Sequence, residues 1–267
     1  MDMMSSRFWL WKVTGLVATA ATLLFAAGFA LALRGRLGHP IGSPPPEPRT
    51  PAAIARPSGK RLVLVLGDSL ARGTGDETGR GFAADVFDFV RKRGPAELAN
   101  LSVNGAESPE VVELVSGANV RSLAASADLI LLSIGGNDLS HAVPRGPDPA
   151  AGVRAAEDVA AARARYAQNL RVTLTALRTA NARAPILVVG LYDPFGEAGP
   201  AGRLGSSVIL RWNTIQQETA LSFPATFVVP TFDLFQGRPD RLGADKFHPN
   251  RSGYQAIAAR MIQLLPS

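Results

Sequence analysis

Ser69 stands in Gly67-Asp68-Ser69-Leu70, directly after the apolar run of residues 62–66, and Asp245-Lys246-Phe247-His248 lies near the far end of the chain. A serine hydroxyl is a weak nucleophile until a neighbouring base takes its proton, and a carboxylate behind that base holds the imidazole in the productive tautomer. The sequence supplies one candidate for each role. Of its three histidines, His39 lies in a proline-rich stretch and His141 in a polar loop, which leaves His248 as the natural base. Asp245, three residues before His248 on the same loop, can accept from its second ring nitrogen. Pro249 biases His248 toward an extended backbone that presents the ring.

These residues need a scaffold, and the apolar pattern outlines one. Buried strands are expected at residues 62–66, 97–101, 129–134, 186–191 and 226–229, mostly as continuous apolar runs of the kind found in parallel strands covered on both faces. Helices are expected at 81–93, 120–125, 154–179, 204–221 and 252–265. The third carries Val159, Ala162, Tyr166, Leu170, Leu174 and Leu177 at helical spacing, one buried stripe, with Arg154, Arg163, Arg165, Arg171 and Arg178 as a solvated face. Alternating strands and helices imply a single doubly wound α/β domain, whose sites lie beyond the C-terminal strand ends. At those ends fall Gly67-Asp68-Ser69, Asn104-Gly105-Ala106 and Gly135-Gly136-Asn137-Asp138, and before the last helix Asp245 to Pro249. Four loops thus bring a hydroxyl, a glycine amide, a side-chain amide and an imidazole to one edge. The backbone N–H groups of Ser69 and Gly105 and the side-chain amide of Asn137 are candidate oxyanion donors.

The four blocks, in this order, resemble the SGNH (GDSL) hydrolases, and the resemblance runs from about Lys60 to Leu265. Gly190-Leu191-Tyr192-Asp193-Pro194-Phe195 is also similar to a segment of the subgroup that carries an N-terminal anchor or signal. The resemblance implies a flavodoxin-like three-layer α/β/α sandwich with a parallel sheet of about five strands. It also implies hydrolysis of esters or thioesters without a cofactor or metal. The residues it implies are Ser69, Asp245 and His248 for catalysis and Ser69, Gly105 and Asn137 for the oxyanion hole.

Each residue has a plainer alternative. Ser69 can cap the helix after its strand, and Asp245 can cap the last helix or pair with Arg251. Asn137 and Gly105 both sit in good turn sequences. Asp68 and Asp138 read as residues that fix loop geometry, Asp193 as a strand end rather than a site wall, and Arg72-Gly73-Thr74-Gly75 as a mobile lip beside the nucleophile. Other chemistries lack their motifs. Ala71 stands where a Gly-x-Ser-x-Gly elbow needs its last glycine, and the sequence has no phosphate loop or His-Glu-x-x-His helix. No cysteine is present, which excludes disulfides and thiol catalysis.

The N-terminus reads differently. Residues 13–33 form an uncharged, mostly apolar stretch of 21 residues, about 30 Å long as a helix and enough to cross a bilayer, preceded by Trp9 and Trp11. Its length fits an uncleaved anchor better than a cleaved signal peptide. The expected organisation is a membrane segment over residues 1–36, a proline-rich linker over 37–59 and a hydrolase domain over 60–267. An export role for the first segment would put that domain outside the cytoplasm. The formal charge of +6 is uneven: residues 1–58 hold six Lys/Arg against two Asp/Glu, the remainder 22 against 20. The domain is therefore not the basic surface that nucleic-acid binding requires. The expected function is a serine esterase or lipase acting on a small-molecule or lipid ester. The alternative is a non-catalytic surface domain that binds a glycan or lipid ester.

Overall fold

A computed structural model describes residues 59–143, 151–194 and 199–265. The expected membrane segment and linker lie outside the described residues. Among the described residues no helix is long and apolar enough to cross a membrane. Five strands, β1 (Arg61–Gly67), β2 (Ala96–Asn100), β3 (Leu129–Ser133), β4 (Ile186–Val189) and β5 (Thr226–Val229), form one parallel sheet in the order β2-β1-β3-β4-β5. In this doubly wound order the chain reverses direction between β1 and β3, which opens a crevice beyond their C-terminal ends.

Helices cover both faces. Leu62, Leu64 and Leu66 of β1 point into one apolar layer with α3 (Ser108–Ser116), α4 (Ala118–Ser126), α6 (Ala151–Ala180) and α7 (Gly199–Leu221). Val63 and Val65 point into the other, with α1 (Ser69–Arg72), α2 (Gly81–Arg91), α8 (Phe232–Phe235) and α9 (Arg251–Gln263). The strand is a continuous apolar run because its alternate side chains serve two different cores. Edge strand β2 departs from that expectation. It is half-exposed, and Glu97 pairs with Lys60 at its outer side (2.8 Å). This arrangement is the expected three-layer sandwich.

Four short helices were not among those expected: α1, α3, α5 (Gly136–Ala142) and α8. Three of them have four to seven residues and so little periodicity to read, but α3, with nine, carries a local signal. Glu107 and Glu110 form a capping box around its start, with Pro109 in the first turn. The expected arginine face of α6 also needs correction at one position. Arg178 is half-buried and donates to the carbonyls of Asn181, Ala184 and Ala225 and to Thr226 Oγ1 at 2.7–3.2 Å, tying the start of β4 and β5 to α6.

Candidate active site

The turn that carries Ser69 is shaped before any partner arrives. Gly67 has φ +129°, and a Cβ there would lie 1.8 Å from the Ser133 carbonyl oxygen, so β1 ends in a turn that only glycine fits against β3. Asp68, not Ser69, caps α1: its Oδ1 accepts from the Leu70 N–H at 3.1 Å. Ser69 is the first residue of the helix, which leaves its hydroxyl uncommitted to capping and its N–H without an i−4 helical acceptor. Asp68 is buried and also accepts from Ser133 Oγ at 3.1 Å. Burial raises its carboxyl to about 6 against the pull of these hydrogen bonds.

Imidazole and carboxylate arrive from the loop before α9. His248 Nε2 lies 2.9 Å from Ser69 Oγ, and His248 Nδ1 lies 2.6 Å from Asp245 Oδ2. Asp245 Oδ1 accepts from the Phe247 and His248 N–H groups at 3.0 and 2.9 Å. Burial works to raise the Asp245 carboxyl, but the hydrogen bonds from His248 and these amides outweigh it and hold it at about 2. An ionised carboxylate only accepts, so Nδ1 of the neutral ring carries the proton and Nε2 accepts from the serine hydroxyl. The plainer readings of these residues do not describe this geometry. Asn250 caps α9 by accepting from Gly253 N, and Arg251 pairs with Asp85 and Asp76 instead of Asp245.

Asn137 enters from the first turn of α5 and donates to the Ala106 carbonyl at 2.8 Å. Gly135 precedes it at φ +114°, where a Cβ would meet Tyr166 and Trp212 at 2.7 and 2.9 Å. Asp138 locks the same turn to the start of α3 by accepting from the Ser108 hydroxyl and, at 3.0 Å, from its N–H. Burial raises the Asp138 carboxyl despite those bonds.

Ser69, His248 and Asn137 line one cleft, with Leu139, Leu191 and Ile209 among its apolar walls. Asp245 stands behind His248. Gly105 is not part of the cleft lining; it occupies an exposed turn at φ +82°, one residue before the carbonyl that holds Asn137. The expected lip is bonded on both sides. Thr74 Oγ1 donates to Asn104 Oδ1 at 3.0 Å, Tyr254 Oη donates to the Thr74 carbonyl at 2.7 Å, and Gly75 packs against His248. Asp193 lies four residues beyond β4, buried, accepting from Ser206 Oγ at 2.6 Å. His141 is exposed on α5 beside Glu107; Phe195 lies outside the described residues. Ser133 escaped the sequence reading; it ends a buried strand, and that position was its only signal. Leu191 and Tyr192, which follow the fourth strand, line the cleft. Among the described residues no group of His, Cys, Asp or Glu could hold a metal ion.

Comparison with known proteins extends this picture. Residues 65–256 match the model of the GDSL-like Lipase/Acylhydrolase family. The chain is 27% identical over 210 residues to the uncharacterized protein YpmR of Bacillus subtilis (strain 168), covering 76% of this chain and 81% of YpmR. Its fold is similar to that of the lipase Lip_vut3 from a goat rumen metagenome, with a TM-score of 0.64 at 20% identity over 77% of this chain and 97% of the lipase. It is also similar to Axe2, an acetylxylan esterase from Geobacillus stearothermophilus, with a TM-score of 0.54 at 16% identity over 76% and 93% of the two chains.

Proposed function

The chain belongs to the GDSL-like lipase/acylhydrolase family, and from that premise we propose that it is a serine esterase that cleaves carboxylic esters through an acyl-enzyme on Ser69. The observation that carries the reading is the continuous hydrogen-bonded line from Ser69 Oγ through His248 to Asp245. In the first half-reaction Ser69 Oγ attacks the ester carbonyl carbon while its proton passes to His248 Nε2. The carbonyl oxygen becomes an oxyanion, received by the Ser69 N–H and the Asn137 side-chain amide, the two expected donors that line the cleft. Collapse breaks the bond to the alcohol oxygen, which leaves with the proton from Nε2. Water then repeats the sequence: it gives its proton to Nε2, its oxygen attacks the acyl carbon, and the carboxylic acid departs as Ser69 regains its hydrogen. Asp245 stays ionised throughout and stabilises the imidazolium that forms twice per turnover.

The apolar walls at Leu139, Leu191 and Ile209 support an aliphatic acyl group on that side of the cleft. The apolar stretch at residues 13–33 supports a membrane-held domain working outside the cytoplasm, a reading that N-terminal sequencing and fractionation of the native protein would test. Replacing Ser69 with alanine is expected to abolish hydrolysis of a chromogenic short-chain ester and labelling by a fluorophosphonate while leaving the melting temperature near the wild-type value. Retained turnover in that variant would overturn the esterase reading, and absence of labelling in the wild type would favour a purely binding domain.

A further inference from the structure

Apart from Leu191 in the cleft wall, the catalytic line gives no role to residues 190–194, yet this segment links the sheet to the histidine loop. Phe247 C=O and His248 N–H belong to one peptide unit, which is planar and turns as a plate. Its N–H donates to Asp245 Oδ1 at 2.9 Å, and its carbonyl accepts from Tyr192 Oη at 2.6 Å. Asp245 sits on the same loop and would move with it. Tyr192 does not, because it comes from the segment just beyond β4.

That segment is anchored independently of the histidine loop. Asn213 of α7 grips Leu191 on both sides, Oδ1 accepting from its N–H and Nδ2 donating to its carbonyl, each at 2.8 Å. Thr231 Oγ1 donates to the Gly190 carbonyl at 2.6 Å. The Tyr192 ring is seated against Phe235, with centroids 4.5 Å apart, and Phe247 meets His248 edge-on at 5.1 Å. The direction in which His248 leaves the backbone is thus tied to the sheet by a phenolic hydrogen bond.

We propose that Tyr192 is a positioning residue, whose hydroxyl fixes the Phe247–His248 peptide and through it the placement of Nε2 against Ser69 Oγ. The proposal rests on the esterase reading above. It extends that reading to a residue with no part in the proton transfers. Tyr192 also lines the cleft, so a wall role is the competing explanation, and the two separate kinetically: a misplaced base slows the chemical step, whereas an altered wall changes substrate binding.

The test is Tyr192→Phe in the full chain, which keeps the ring and removes only the hydroxyl. It is assayed on p-nitrophenyl butyrate, with active sites counted by fluorophosphonate at saturation. The expected result is a kcat per labelled site lower by about 10- to 100-fold, KM within about twofold of wild type, and inactivation by the fluorophosphonate slowed in parallel. A raised KM with unchanged kcat would overturn the proposal in favour of a wall. So would a loss of activity that disappears once labelled sites are counted, since that reports unfolding alone. Failure of the wild type to label at Ser69 would bring down the esterase reading itself, and is told apart because it does not depend on the variant.

Discussion

Asn137 donates one amide hydrogen to the Ala106 carbonyl, which leaves a second for the cleft it lines. The bond to Ala106 orients the donor before substrate binds, so an oxyanion gains it without reorganisation. Asn137→Ala is expected to lower kcat by about 10²–10³ with a much smaller change in KM, measured on a soluble ester. Asp245 is the second test at this scale. Its carboxyl is held at about 2 in the folded chain against 3.8 as the ordinary value. That depressed value stabilises the fold fully above the ordinary value, and the stabilisation disappears as pH falls toward 2. Asp245→Asn is expected to lose activity at neutral pH and to show a shallower loss of stability between pH 4 and 2 than wild type, a difference of roughly 2 kcal/mol by urea unfolding. Ser69, Asp245 and His248 were legible as candidates because few residue types do this chemistry and each stood at a predicted strand end or loop. The bond made by the Tyr192 hydroxyl was not legible, because it serves a carbonyl 55 residues away.

Among the elements, the turn from β3 into α5 is the most constrained. Gly135 lies over the Tyr166 and Trp212 rings, which are tilted at 33° with centroids 5.0 Å apart, and its positive φ disfavours any side chain. Gly135→Ala is expected to destabilise the protein by about 2–5 kcal/mol from combined overpacking and backbone strain, and to weaken catalysis by displacing Asn137. Urea unfolding and an ester assay on the folded fraction would check both effects. The central strands could be read directly, since two covered faces demand unbroken apolar runs. Edge strand β2 was found despite Glu97 and Asn100, but its half-exposed pattern follows from having a neighbour on one side only. Arg178 looked like part of a solvated face because helical periodicity cannot show that carbonyls just before β4 and β5 lie within reach of its guanidinium.

At the scale of the whole molecule, ionisation in the site and stability of the fold are linked. Asp68 bridges α1 and β3 from a buried position, and its carboxyl is raised to about 6. A raised carboxyl stabilises the folded state below its ordinary value of 3.8, and that contribution is lost as pH rises through about 6. From this group alone the fold should be roughly 2 kcal/mol less stable at pH 7.5 than at pH 4.5. Asp68→Asn is expected to flatten that part of the pH dependence, read from urea midpoints at the two values; an unchanged difference would reject the assignment. The sequence by itself determined the class of fold and the chemical types at its edge, because strand burial writes periodicity into the chain and nucleophile, base and carboxylate have few substitutes. Only the tertiary structure decided which groups meet. The Ser69–His248 bond spans 179 positions, and the ties from Tyr192 to Phe247 and from Asn137 to Ala106 likewise join separate loops. Contacts of this kind depend on how strands are ordered in the sheet, and strand order is set by packing across the whole domain.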